Sequence, residues 1–281
     1  MLISTQHKSQ ADLVVGDFIK RAEQDYPSGH PKIFDRSRLL TKDEIQDYVM
    51  LYSQTPYQYI LFVHCWAKLY LREKIEAAGL RFDQSLHNFE DVEFNFSYLM
   101  ETQSVYYLDK AILNYSVTRN FRSQSFQIGN DIEKVRAYKR AFDSVHIFLR
   151  SFLDGTEAAR LRGHLISSCI IITIARTCGQ YSKEQSAKVY EGIDQIIRDS
   201  YVLKNLSLYK PGGGDSRILP LLIRLRCVRL IIWYGAKRIK RYRHRGSKEI
   251  VKTCLRLRKG LCLGPDAIRP CLFSAFDGPV Y

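Results

Sequence analysis

A change of period near residue 130 constrains this 281-residue chain more than any other feature. Ahead of it lie short β-branched and aromatic runs separated by turn signals and single helices. Beyond it, apolar residues recur at helical spacing and predict helices over 131–153, 156–177 and 182–200. The last of these is opened by Ser182, with Gln185 in capping-box position. Short strands with single helices, then long helices, indicate an α/β chain followed by a mainly helical C-terminal region. We expect a boundary near 125–130 and a hinge at 211–216, where Pro211 and three glycines break the chain. The resulting regions are 1–128, 129–210 and 211–281.

Within the first region, Leu13, Val14 and Val15 suit a short buried strand entered from a helix end, with Gly16-Asp17 as its exit. Thr41 and Glu44 form a capping box and predict a helix over 42–53. The line YILFVHCWAKLYLR predicts a strand near 60–66, then a helix over 72–78 that Gly79 closes. Asn88 is placed to cap a helix carrying Glu90, Asp91 and Glu93, whose apolar stripe is Phe94, Tyr98 and Leu99. Strand-like residues follow at Val105–Tyr107 and again at Ile112–Val117.

Charge narrows the choice of partners. The net charge is +14, yet fifteen Lys and Arg against two acids fall between Asp215 and Gly260. The basicity thus belongs to one segment, and a taste for nucleic acid across the whole protein is not implied. For 217–245 three readings compete. It is a solvated helix pair with snorkelling arginines, a peripheral helix on an anionic membrane surface, or a nucleic-acid binder. The last is disfavoured, because few polar base-readers interleave with the charges. Seven cysteines without a CxxC, and a polar N-terminus, point to reduced thiols in a cytoplasmic protein with no zinc site. The apolar run Leu165–Ala175 is too short to cross a bilayer and fits a buried helix. Gly212–Gly214 lacks the Lys-Ser/Thr of a phosphate loop and reads as a linker.

Chemistry concentrates between His64 and Ser125. Glu90 and Asp91 open a helix, where acids are stabilised as anions by the helix dipole. Capping and solvation alone account for such a pair. The neighbours give it a second reading: Trp66, Lys68 and Tyr70 before it, Arg81-Phe82-Asp83 beside it, and Tyr115, Arg119, Arg122 and Ser125 after it. Together they offer a base, stacking rings and cations for a diphosphate. The histidines at 64, 87 and 164 read as core or surface groups, with His87 close enough to the acids to be a substrate contact.

The pattern W-x-K-L-Y, GLRFD, ED-x-x-F-N-x-x-Y-L and Y-x-x-x-R resembles the second half of bacterial family 2 glycosyltransferases of the GT-A fold. The likeness covers about 11–125, with its sharpest part at 64–99. It implies an inverting transfer of sugar from a nucleotide-sugar to a saccharide or polyprenyl-linked acceptor, in making exopolysaccharide, capsule or lipopolysaccharide. Carried over residue by residue, Asp91 is the general base and Glu90 positions the acceptor or its loop. Trp66 and Lys68 line the acceptor side, and the neighbouring residues themselves add His87, Tyr115, Arg119 and Arg122 as candidate substrate contacts. The family also uses a divalent cation, Mn or Mg, held by an Asp-x-Asp. That motif occurs nowhere in the 281 residues, and Ala67 stands where the family often has Asn. The resemblance thus implies a partial GT-A-like mixed sheet with helices over an acceptor-side region, 1–128, with the nucleotide-binding half absent. On that likeness the chain is a fragment, a mis-started reading frame, a relic or the complement of a separate donor-domain chain, with strands at 13–15 and 60–66 left as exposed edges. Location at the inner face of the membrane follows from the same likeness. The rival expectation is a non-catalytic, membrane-peripheral scaffold that keeps the acceptor-side remnant.

Overall fold

The structure, a computed structural model, describes residues 1–22, 33–56, 58–86, 88–117, 131–179, 182, 184–211 and 216–237. It is α/β, with a four-stranded mixed sheet followed by a mostly helical region. Helix α1 (Leu2–Ser9) ends at Gln10 in the left-handed region and leads into β1 (Leu13–Ala22). Strands β2 (Arg38–Leu40), β3 (Lys68–Tyr70) and β4 (Val105–Val117) complete the sheet in the order β2-β4-β1-β3. β1 runs parallel to β4 and antiparallel to β3, while β2 lies antiparallel to β4.

Four expectations about the sheet need correction. β1 does not exit at Gly16 but continues to Ala22, because pairing with β4 resumes after register shifts around Asp17. Gly16 permits this: a Cβ there would meet Ile112 Cδ1 at 2.4 Å. β4 is one strand through 105–117 rather than two. Residues 60–66 form turns, and the strand is Lys68–Tyr70, where the backbone pairs with Val15, Val14 and Leu13. Residues 13–15 are therefore no edge. They are paired on both sides, and the edge strands β2 and β3 are three residues each, a length that offers little template for stray pairing.

The helices follow local chemistry closely. α2 (Lys42–Gln54) begins with the expected box, Thr41 Oγ1 accepting from Glu44 N–H at 3.2 Å and the Glu44 carboxylate accepting from Thr41 N–H at 2.9 Å. α3 (Arg72–Ala77) ends before Gly79, which adopts φ +63°. α4 (Glu90–Glu101) is preceded by Phe89 at φ +69°, with no side-chain cap, so Asn88 is not the cap. Tertiary packing fixes that turn: the buried Phe89 ring meets Tyr138 edge-on at 4.8 Å and Phe142 at 5.5 Å. Both partners lie on α5 (Asp131–Arg150).

α6 (Gly155–Gly179) is long and apolar enough to cross a membrane, but most of that apolar stretch is buried among α2, α5, α7 and α8. Its His164 is a satisfied core group, accepting at Nδ1 from Lys210 N–H (3.2 Å) and meeting Gln54 O through Nε2 (3.0 Å). The helix expected over 182–200 ends at Arg198 as α7 (Ser186–Arg198). Asp199 then accepts from Tyr201 and Val202 N–H and caps a separate α8 (Ser200–Leu206). α9 (Ile218–Arg224) follows, and 228–237 is helical as α10. One apolar core runs from the sheet through α4 into these helices. The boundary expected near 125–130 lies outside the described residues, as does most of the 211–216 hinge.

Candidate active site around Asp91

Asp91 is in the first turn of α4, facing the turn that carries His64 and Cys65 into β3. Its side chain keeps 30% of its surface exposed, so a solute can reach the carboxylate. Oδ2 stands 3.7 Å from His64 Nδ1, and the Cys65 thiol and backbone N–H beside it favour the charged carboxylate. Burial pushes the Asp91 pKa upward, but these contacts outweigh it and hold the group below its ordinary value. Asp91 is thus ionised at neutral pH. For His64, burial dominates and lowers the pKa in spite of the Asp91 contact, with Lys68 adding to the effect. The imidazole is neutral beside the carboxylate. The same burial, reinforced by Asp91, raises the Cys65 thiol to about 12, which makes it a poor nucleophile.

A second layer holds this turn in place. Asn95, buried one helical turn beyond Asp91, donates through Nδ2 to Val63 O (2.8 Å) and to Asp91 O (2.7 Å). Its Oδ1 accepts from Tyr70 OH at 2.6 Å. One amide therefore ties the 63–65 turn, β3 and α4 together. Lys68 Nζ donates to His64 O, and burial brings the ammonium down to about 8. Ala67, between Trp66 and Lys68, adopts φ +58° and offers its carbonyl to Gly16 N–H at 2.8 Å.

Rings form one wall. Trp66 stacks on His64 (4.5 Å between centroids) and on Tyr115 (5.3 Å), and meets Phe18 edge-on at 4.7 Å. Tyr115 comes from the far part of β4, so the long β1–β4 ribbon carries it here. The Arg81-Phe82-Asp83 loop packs nearby, with Phe82 stacked on Phe94 at 4.4 Å and Asp83 paired with Arg140 of α5.

Of the residues expected from sequence, Asp91, Trp66, Lys68 and Tyr115 come together, and Glu90 is half-buried at the start of α4. His87, Arg119 and Arg122 lie outside the described residues. The sequence reading makes His64 a core or surface group and gives Cys65 and Asn95 no role. Asn95 had a signal, its four-residue spacing from Asp91, which puts both on one helical face. His64 had none, because only the fold brings its ring to Asp91. Among the described residues no group of three His, Cys, Asp or Glu is gathered as for a metal ion.

No protein-family model matches the chain. Over 119 residues it is 31% identical to the uncharacterized glycosyltransferase EpsJ of Bacillus subtilis (strain 168). The match covers 42% of this chain and 33% of that protein, so the chain spans about a third of its relative's length. The chain is glycosyltransferase-like over that stretch.

Proposed function

We propose that this chain carries the acceptor side of an inverting, family 2, GT-A-type glycosyltransferase. Its acceptor is a saccharide or a polyprenyl-linked saccharide in surface polysaccharide synthesis. One observation carries the reading: an ionised, solvent-reachable Asp91 carboxylate beside a wall of rings, in a chain similar to a glycosyltransferase. Aromatic faces suit the apolar face of a sugar, and a positioned carboxylate suits a hydroxyl that must lose its proton.

In the proposed step an acceptor hydroxyl oxygen attacks the anomeric carbon as its proton passes to Asp91. The bond from that carbon to the diphosphate breaks, and the nucleoside diphosphate leaves with the electron pair. Inversion follows from the single displacement. His64 is a positioning residue, turning Asp91 through the Nδ1 contact, while Lys68 adds positive charge beside it. Donor binding and its cation belong, on this reading, with a donor-domain portion that complements the chain.

The test is turnover of UDP-, GDP- and dTDP-sugars with Mn²⁺ and a saccharide acceptor, by the chain together with such a donor portion. Asp91→Asn is expected to lower the rate by about 10²–10⁴-fold with an unchanged circular dichroism spectrum. Equal turnover by the folded variant removes Asp91 from the base role. The sequence lacks an Asp-x-Asp, which favours one rival, a non-catalytic scaffold. Silence across the panel, with the donor portion bound and the fold intact, would support it.

A further inference from the structure

The described residues expose fourteen large hydrophobic side chains, and five of them fall between 218 and 233. They are Ile218, Leu221 and Leu225, from the start of α9 to its C-cap, and Leu230 and Trp233 on α10, 47–60% exposed. Their spacings of three and four place them on one stripe of each helix. The opposite faces are buried: Leu219 and Ile223 of α9, and Val228, Ile231 and Ile232 of α10, join the core. Gly235 lets α10 seat closely on α6, since a Cβ there would meet Cys178 Cβ at 2.7 Å. The helices are therefore fixed on the body with their second apolar faces turned outward.

Charge surrounds these stripes. Arg217, Arg224, Arg226, Arg229 and Lys237 are exposed, and no acid occurs from 216 to 237. Lys237 Nζ sits 4.1 Å from the Trp233 ring centroid, so cation and indole occupy one spot. A solvated surface helix would carry acids among its bases and few exposed leucines. Indole, leucine and base without counter-charge match instead a surface with an anionic plane over hydrocarbon.

We infer that the elbow made by α9 and α10 is a docking surface for an anionic lipid bilayer. Leucine and indole enter the headgroup boundary and the flanking bases meet lipid phosphates. The inference is independent of the transfer reading, because it requires neither a sugar nucleotide nor Asp91.

The experiment is flotation of the full chain with phosphatidylglycerol vesicles and, separately, with phosphatidylcholine vesicles. Binding to the first and much weaker binding to the second is expected, falling as salt rises. Gln at Arg217, Arg226, Arg229 and Lys237 should weaken binding by about fivefold per removed charge. Ser at Leu221, Leu225 and Trp233 should abolish it at any salt, and Trp233 emission should shift blue only with vesicles and native residues. Should the serine variant fail to fold, the glutamine variant carries the test alone. Failure to float with phosphatidylglycerol, or equal flotation with both lipids, overturns the inference. So does a concentration-dependent dimer that the serine substitutions dissolve while vesicle binding is absent.

Discussion

Ala67 and His64 are the residues where local physics and site geometry meet most directly. A side chain at φ +58° brings Cβ against the following carbonyl, at about 1–2 kcal/mol. Asn tolerates that region better than Ala, through its short polar side chain. Ala67→Asn is therefore expected to raise stability by about 0.5–1 kcal/mol, read from the urea midpoint.

For His64 the sign follows from burial. Its folded pKa lies below the ordinary value of the unfolded chain, so the unfolded state takes up the proton first. Stability is complete above about pH 6.5 and declines as pH falls from there toward the folded value. Asp91, held low, is lost from the ledger only below about pH 4. Urea unfolding between pH 7 and pH 5 should show the decline in the native protein and a flatter profile in His64→Gln. Parallel profiles would mean that His64 titrates alike in both states.

At the scale of elements, the site is an assembly of one turn, one strand end and one helix start, and Asn95 is their common fastener. Asn95→Ala removes three hydrogen bonds to oxygen and a longer one to Cys65 Sγ, and leaves Val63 O and Tyr70 OH to seek other partners in a buried place. A loss of about 2–4 kcal/mol is expected, from about 1 kcal/mol per bond plus the cost of unsatisfied groups. Denaturant unfolding measures it. Hydrogen exchange should show faster opening at 63–70, because β3 loses its tie to α4. A spacing of four from Asp91 made Asn95 legible as a residue on the same face. Its partners were not legible, since Val63 and Tyr70 reach it only after β3 pairs with β1.

Across the whole molecule, the helical region supports the site through Phe89. The ring closes on Tyr138 and Phe142, and so fixes the left-handed residue that starts α4 and aims Asp91. Phe142 is fully buried. Phe142→Ala is expected to cost about 3–5 kcal/mol by cavity formation. Thermal melts followed by far-ultraviolet and aromatic circular dichroism should shift together, because sheet and helices share one core. Separate transitions would mean that the two regions unfold independently.

Sequence alone determined the local events: the Thr41–Glu44 box, the turn at Gly79, the change to helices after residue 130, and the acids opening α4. Each depends on residues within a few positions of one another, where capping, side-chain period and dihedral preference act. Tertiary structure alone decided the sheet order, the continuation of β1 past Gly16, the left-handed turn at Phe89 and the neutral His64 beside Asp91. Those rest on contacts between segments tens of residues apart, and burial, which sets both strand pairing and proton affinity, exists only once the distant segments have closed around them.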